Sequence, residues 1–595
     1  MVSLVRRGVV RTGGVAIACA LVLAGSAGTQ QVGAGVAPVR AGVPDSIPVP
    51  PPLVREFRGA WLSPVEGGAW PSRPGMSVAE QQAELRAVLD SAAAFGLNAI
   101  LLHVRIAGDA MYPSARAPWS RYLVGPAGTP GADWDGWDPL AFAVREAHAR
   151  GLELHAWFNP FRASTPDDVG PPLAAHVTRR HPAWVRRYGD LAWIDPGIPD
   201  ARRSVLDAIL EVVGRYDIDG VHIDDYFYPY QQTHTVTHLV GRGRHRHRVH
   251  RTVLLPFPDA ASWKRYGRAR GWTSRADWRR ANIDSFVHTL YERVHTLKPW
   301  LLVGVSPFGI WRPGSPPGIT GLDSYSEIFA DSRKWLREGW LDYLAPQLYW
   351  PLDNSQQRFT RLDAWWRSQN VHHRHIWPGL LTTGIEARTD PWPLVAIAQE
   401  IDTLRDVRTD PGESRGHVHF RMRALLQPLE EGAPSPGRVL RRNEYAAPAI
   451  PPASPWLGDA VPAAPRVAWA HAGPLVLAGH PAANAAAPGA PAPPTAALPP
   501  VASSAVAQST VAQPADAPAA SHVLTITPAD SVRVRWWAVQ SLAPDGRWSL
   551  RLVPAGTREI SIAAPGAPRP RAVVVRAISS TGMASAPAAL QAEGP

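Results

Sequence analysis

One cysteine, Cys19, stands in a chain of 595 residues, so no disulfide can form within it and stability has to come from a packed core. Long apolar runs are missing too. The stretch from Val15 to Leu23 is too short for a membrane span; it follows Arg6, Arg7 and Arg11 and runs into small residues. That order reads as an export signal over residues 1–28, cleaved near Ala27. Cys19, preceded by Ala16-Ile17-Ala18, keeps lipid attachment open as a second route to the envelope, and Arg6-Arg7 is a weak twin-arginine signal. No transmembrane span is expected once the signal is removed. A concentrated basic stripe is also absent. The formal charge is +11, yet outside residues 242–251 the arginines are scattered, which argues against a nucleic-acid footprint. The excess suits an anionic polymer instead, such as a cell-wall glycan.

Length alone calls for two or three domains. Residues 29–52, rich in Pro, Gly, Ala and Val, read as a tether. Over 53–445 short apolar strands alternate with amphipathic stretches, the pattern of repeated βα units. Eight strands are expected: 57–62, 98–104, 153–159, 219–224, 301–306, 342–349, 376–381 and 416–421. The stretch 77–96 between the first two is helical, with a Ser cap and a closing Gly. Eight such units predict an α/β fold, a (β/α)8 barrel. After Tyr445 the texture changes. Short strands over 455–595 predict a small all-β sandwich, and the Ala/Pro-rich insert at 481–520 is expected to be disordered.

The stretch DGVHIDDYFYPY, residues 219–230, ends a β-branched strand in two adjacent carboxylates and then walls them with aromatic rings. Outer-face residues of a barrel strand pack on helices, so the apolar set should point out. Val221 and Ile223 outward turn His222 and Asp224 inward. By the same rule His103 and Arg105, then His155, Trp157 and Asn159, then Gln347 and Tyr349, and finally His419 and Arg421 face the interior. A barrel filled by branched apolar side chains would not carry so many buried polar groups. Their place at the C-terminal mouth predicts an active site. Carboxylates walled by rings suit cleavage of a sugar polymer, one acting as acid and one as nucleophile or base. Asp224 is the first candidate. Asp225 either supplies the acid or orients its neighbour, and Asp109, after the second strand, is the best remaining second carboxylate, ahead of Glu66, Glu327 and Asp331. Arg105 and Arg162 would bind carboxylates or hydroxyls, and His155, Asn159, His222 and Gln347 are further substrate contacts. Trp157, Tyr226, Tyr349 and Trp350 would offer ring faces to sugar C–H bonds.

The chain resembles the bacterial glycosyl-hydrolase-like family 10. The likeness is carried by EFRGAWL, HVRIAGDAMYPS (103–114), HAWFNPFR (155–162), DGVHIDDYFYP, VGVSPFGIWRPG (303–314), ADSRKWLREGWLDYLAPQLYW (330–350) and TGMASAP (581–587). The resemblance implies a (β/α)8 barrel followed by a fibronectin-III-like domain in an exported protein, located in the periplasm or cell envelope. It also implies glycoside hydrolysis, with cell-wall glycan, peptidoglycan strands above all, as the substrate class. Two segments depart from it: a His- and Arg-rich insertion at 231–254, read as a solvated loop, and the insert at 481–520. No cofactor or metal is expected. A metal-dependent hydrolase would usually carry an H-x-H pair on the first strand, where FRGAWL has no histidine. A non-catalytic glycan-binding barrel and a glycan lyase are the other readings, separable by loss of Asp224 and by product mass.

Overall fold

A computed structural model describes residues 43–165, 173–240, 247–406, 415–470, 523–563 and 568–591. The expected export signal and the expected disordered insert at 481–520 lie outside these. The barrel strands are β1 (Phe57–Leu62), β2 (Ala99–Arg105), β3 (Glu153–Phe158), β4 (Gly220–Ile223), β5 (Leu302–Val305), β6 (Tyr343–Leu344), β7 and β8 (Gly416–His419). β7 comes in two pieces, His375–Ile376 and Gly379–Leu380. All pairs are parallel. The first piece of β7 pairs with β6, the second with β8, and β8 pairs with β1, so the ladder returns to its start. The connecting helices are α1 (Val78–Phe95), α2 (Pro139–Ala149), α3 (Pro199–Arg215), α4 (Arg275–Leu297), α5 (Ser332–Arg337), α6 (Phe359–Ser368) and α7 (Leu394–Asp406), with α8 (Pro436–Arg442) closing the barrel segment. α1 starts at a Ser77–Glu80 capping box and stops at Gly96, whose φ of 86° suits a residue without Cβ. Its Leu85, Leu89 and Ala92 are buried against the sheet, as the sequence pattern requires.

Two apolar layers hold the barrel. Leu102, Val104, Ala156, Val221, Ile223 and Leu344 face the helices, while Phe57, Trp61, Leu101, Tyr343, Trp377 and Val418 fill the interior. Fully burying one such side chain contributes roughly 1.5–3 kcal/mol. β8 reverses the expectation. Val418 and Phe420 point inward, and His417 and His419 point outward onto the Tyr445 hydroxyl, at 2.6 Å for His419. Arg421, expected inward, donates to the carbonyls of Val65 and Glu66 on the loop after β1. The interior needed apolar filling from β8, and the polar face found partners in the segment that closes the barrel.

Strands Arg466–Trp469, Val523–Thr527 and Glu559–Ser561 form one antiparallel sheet; Trp548–Pro554, Val534–Leu542, Ala572–Ser579 and Ala588–Gln591 form a second. Leu524, Ile526, Trp537, Val539, Ile560 and Val575 pack into a common core, the expected sandwich. It sits beneath the N-terminal ends of the barrel strands. There Arg535 meets Asp219 at 2.5 Å, and Ser454 links His375 to Thr581. The tether is not free over its described part. Ile47 is buried with Leu542 and Ala572, and Gln540 donates to the Pro51 carbonyl at 2.8 Å. The His/Arg-rich insertion is not a loop but an antiparallel ribbon, Thr233–Val240 with His247–Leu254.

Candidate active site

β4 alternates as its sequence requires and delivers Asp224 and Asp225 to the mouth directly after Ile223. Both are enclosed, at 4% and 3% exposure. Asp224 accepts hydrogen bonds from Trp157 Nε1 at 3.2 Å and from the Tyr226 amide at 3.3 Å. Asp225 accepts from the Tyr230 hydroxyl. The Arg162 guanidinium lies 3.8 Å over the Tyr226 ring. Burial pushes the Asp224 carboxyl well above the usual range and the charge of Asp225 pushes it further, against Arg162, the Tyr226 amide and Trp157. Burial raises Asp225 as well, but Tyr230, Gln347 and Arg162 favour its ionised form. Burial and mutual repulsion thus favour a retained proton on the pair.

Around the pair lie polar atoms with no partner. His103 Nε2, both amide atoms of Asn159, Arg162 Nε and Ser306 Oγ are buried and make no well-formed hydrogen bond, although Asn159 lies close enough to His103 to favour its protonated form. Native structures rarely leave such atoms unpaired. Gathered beside an acid pair, they give this mouth an unusual store of unused hydrogen-bonding capacity. His103 is fixed by Ser63 Oγ at 3.0 Å and by stacking on Trp157 at 3.8 Å, and burial, with Arg162 adding to it, keeps its ring neutral. Gln347 donates to the Ser306 carbonyl at 3.2 Å. Tyr226, Tyr230, Phe308, Tyr349 and Trp350 are half-buried, and Tyr230, Phe308 and Trp350 meet edge to face in series.

Other expected residues go elsewhere. His222 accepts from Trp61 Nε1 at 3.0 Å and shares the Tyr343 hydroxyl, at 2.9 Å, with His155 at 3.0 Å; His155 reaches Glu153 through its other nitrogen. Both rings are fully enclosed with both nitrogens occupied, so they build the barrel interior and do not touch substrate. Trp157 spends one ring face on His103 and its N–H on Asp224, which makes it a support for the acid more than a sugar platform. Arg105 is turned out of the barrel. A bulge shifts the β2 register from His103 opposite Trp157 to Arg105 opposite Phe158, which faces the helices. Asp109 Oδ1 accepts from the amides of Ile106 and Ala107, both at 2.9 Å, and serves its own turn. Asp331 caps α5 and accepts from Trp311, and Glu327 accepts from the Asp323 amide. Glu66 is exposed on the loop after β1. The parts played by Tyr230, Ser63, Ser306 and His103 emerge only from the structure. Tyr230 stood within the aromatic wall already singled out, whereas isolated serines carry no pattern.

Residues 56–394 match the model of the family described as glycosyl hydrolase-like 10. Glycosyl hydrolase YngK of Bacillus subtilis is 36% identical over 423 residues, covering 69% of this chain and 76% of that protein. Glycosyl hydrolase DigH of Escherichia coli is 32% identical over 405 residues, 64% of this chain and 86% of that one. Among solved structures, the PgaB (BpsB) glycoside hydrolase domain from Bordetella bronchiseptica covers 65% of this chain and 98% of its own at 13% identity, with a TM-score of 0.37, too slight a likeness to argue from. Matched by the family model over more than half its length, the chain belongs to the glycosyl hydrolase-like 10 family.

Proposed function

We propose that the protein is an exported glycoside hydrolase that cleaves the glycan strands of peptidoglycan by acid/base chemistry at Asp224 and Asp225. One observation carries the reading: two adjacent carboxyls are buried together at a strand end rimmed by rings and by unpartnered hydrogen-bonding atoms, where burial and mutual repulsion favour a retained proton. Asp224 gives its proton to the glycosidic oxygen as the bond to the anomeric carbon breaks. Asp225, whose ionised form the Tyr230 hydroxyl favours, attacks that carbon or takes the proton of the incoming water. Either way water supplies the new oxygen, and the pair ends with the proton it began with. Arg162 offsets the remaining negative charge. Export is supported by the leader alone, and the anionic wall polymer by the net charge of +11.

The test is incubation of the purified chain, lacking residues 1–28, with peptidoglycan, its peptide-free strands and a panel of neutral polysaccharides, with products read by mass spectrometry. Hydrolysis of the strands is expected. Cleavage of neutral polysaccharides alone overturns the substrate, products lighter by one water overturn hydrolysis in favour of a lyase, and binding without cleavage overturns catalysis.

A further inference from the structure

Arg105 is 5% exposed, its Nη1 donates to the Asp109 carbonyl at 3.2 Å, and its Nε has no partner. A buried guanidinium edge left unpaired is costly unless something meets it. Arg105 also lines a groove of about 240 Å³ beside the barrel mouth, together with Arg116, Arg180 and His181. Neither Asp nor Glu is among the described residues that line it. The nearby acids are occupied: Asp109 by two amides of its turn, Glu211 by Ser114 Oγ at 2.7 Å and the Ala115 amide at 3.1 Å. Asp207 reaches Arg116 only at 3.4 Å. Ser204, in the second turn of α3, completes the wall close to the positive end of that helix. The Ile194 amide, also on the wall, donates to the Phe161 carbonyl, next to the Arg162 that lies beside the acid pair. This backbone hydrogen bond places the groove wall against the segment that carries Arg162.

We propose that this groove is a subsite for an oxyanion, a carboxylate or phosphate carried by the glycan whose backbone lies in the mouth. Arginine suits that task because its planar fork matches both anions and stays charged when desolvated. The bulge in β2 finds its purpose here: without it Arg105 would fall on the interior face of the barrel. The proposal rests on the glycan reading for the identity of the polymer but not for binding of the anion, so the two can fail separately.

The experiment uses the chain lacking residues 1–28 and carrying Asp224→Asn, titrated calorimetrically with N-acetylmuramic acid, N-acetylglucosamine and inorganic phosphate. It is repeated with Arg116→Gln plus Arg180→Gln, and with Ser204→Asp, which leave the buried Arg105 untouched. The acidic sugar is expected to bind at least about tenfold more tightly than the neutral one, and both sets of substitutions should erase the difference. Phosphate binding lost in the same variants, without binding of the acidic sugar, assigns the anion to a phosphate ester. Anion affinities that none of these substitutions changes overturn the subsite. In the otherwise unaltered enzyme, the same substitutions should raise KM for anion-bearing strands with kcat kept and leave uncharged chito-oligomers unaffected; equal KM changes on both overturn it too. Anion binding that persists where no glycan is cleaved sinks the hydrolase and supports the subsite.

Discussion

Asp224 shows how a residue becomes reactive by being placed badly for stability. Its carboxyl is enclosed, beside a second carboxylate, and holds its proton well above the usual range. Because that folded-state value lies above the unfolded one, the native state binds the extra proton, and stability declines as pH rises from the ordinary carboxyl range through the folded value. Asp224→Asn is therefore expected to do two things. Turnover should fall by about three powers of ten or more, roughly 4 kcal/mol of barrier at 1.36 kcal/mol per decade. The melting temperature should rise, and rise more at neutral pH than in mild acid. A variant that keeps a tenth of its turnover, or melts lower at every pH, contradicts the assignment. Tyr230→Phe tests the partner. The hydroxyl favours ionised Asp225, so its loss raises the proton affinity of Asp225. The acid limb of the kcat profile should then move to higher pH, with a loss of about tenfold near the limb. An unmoved limb would leave Asp225 without that role.

At the scale of elements, alternation along a strand was a good guide in β3, β4 and β6 and failed in two places. In β8 it sent Val418 outward because apolar residues were assumed to meet helices, yet the barrel interior also needs apolar filling. In β2 a bulge broke the period at Val104, and no sequence period marks a bulge. α7 carries a different anomaly. Glu400 is completely buried, neither carboxylate oxygen has a partner, and burial alone drives its proton affinity well up. Here too the folded value exceeds the unfolded one, so its cost grows as pH rises. Glu400→Met is expected to stabilise the chain by about 1–3 kcal/mol at neutral pH and by less in mild acid. Urea unfolding at two pH values checks this; a destabilised variant would mean that Glu400 has a partner.

Across the whole molecule, the sandwich supports the barrel from the face opposite the chemistry. Burial by itself would raise Asp219, but Arg535 and His148 outweigh it and hold the carboxyl well below its usual range. Arg535→Met leaves that buried charge with His148 at 2.8 Å and the Leu154 amide alone, and should cost about 3 kcal/mol. Since the depressed carboxyl contributes its stability at neutral pH and loses it as pH falls through the folded value, the gap to wild type should narrow in strong acid. Because Arg535 sits beneath the strands' N-terminal ends, kcat below the unfolding transition should be unchanged; a change in kcat would tie the sandwich to the mouth. The order of βα units, the later β segment and the aromatic-walled acid pair were legible in the sequence because they follow local periodicity and one contiguous motif. Only the tertiary structure decided which partners meet. Trp157 and Tyr230 hold the two acids, His155 and His222 close the interior, Asp109 and Arg105 turn away, and an expected loop is a ribbon. Those outcomes depend on contacts between distant segments and on which face each strand had left to bury, and neither is written in any one stretch of chain.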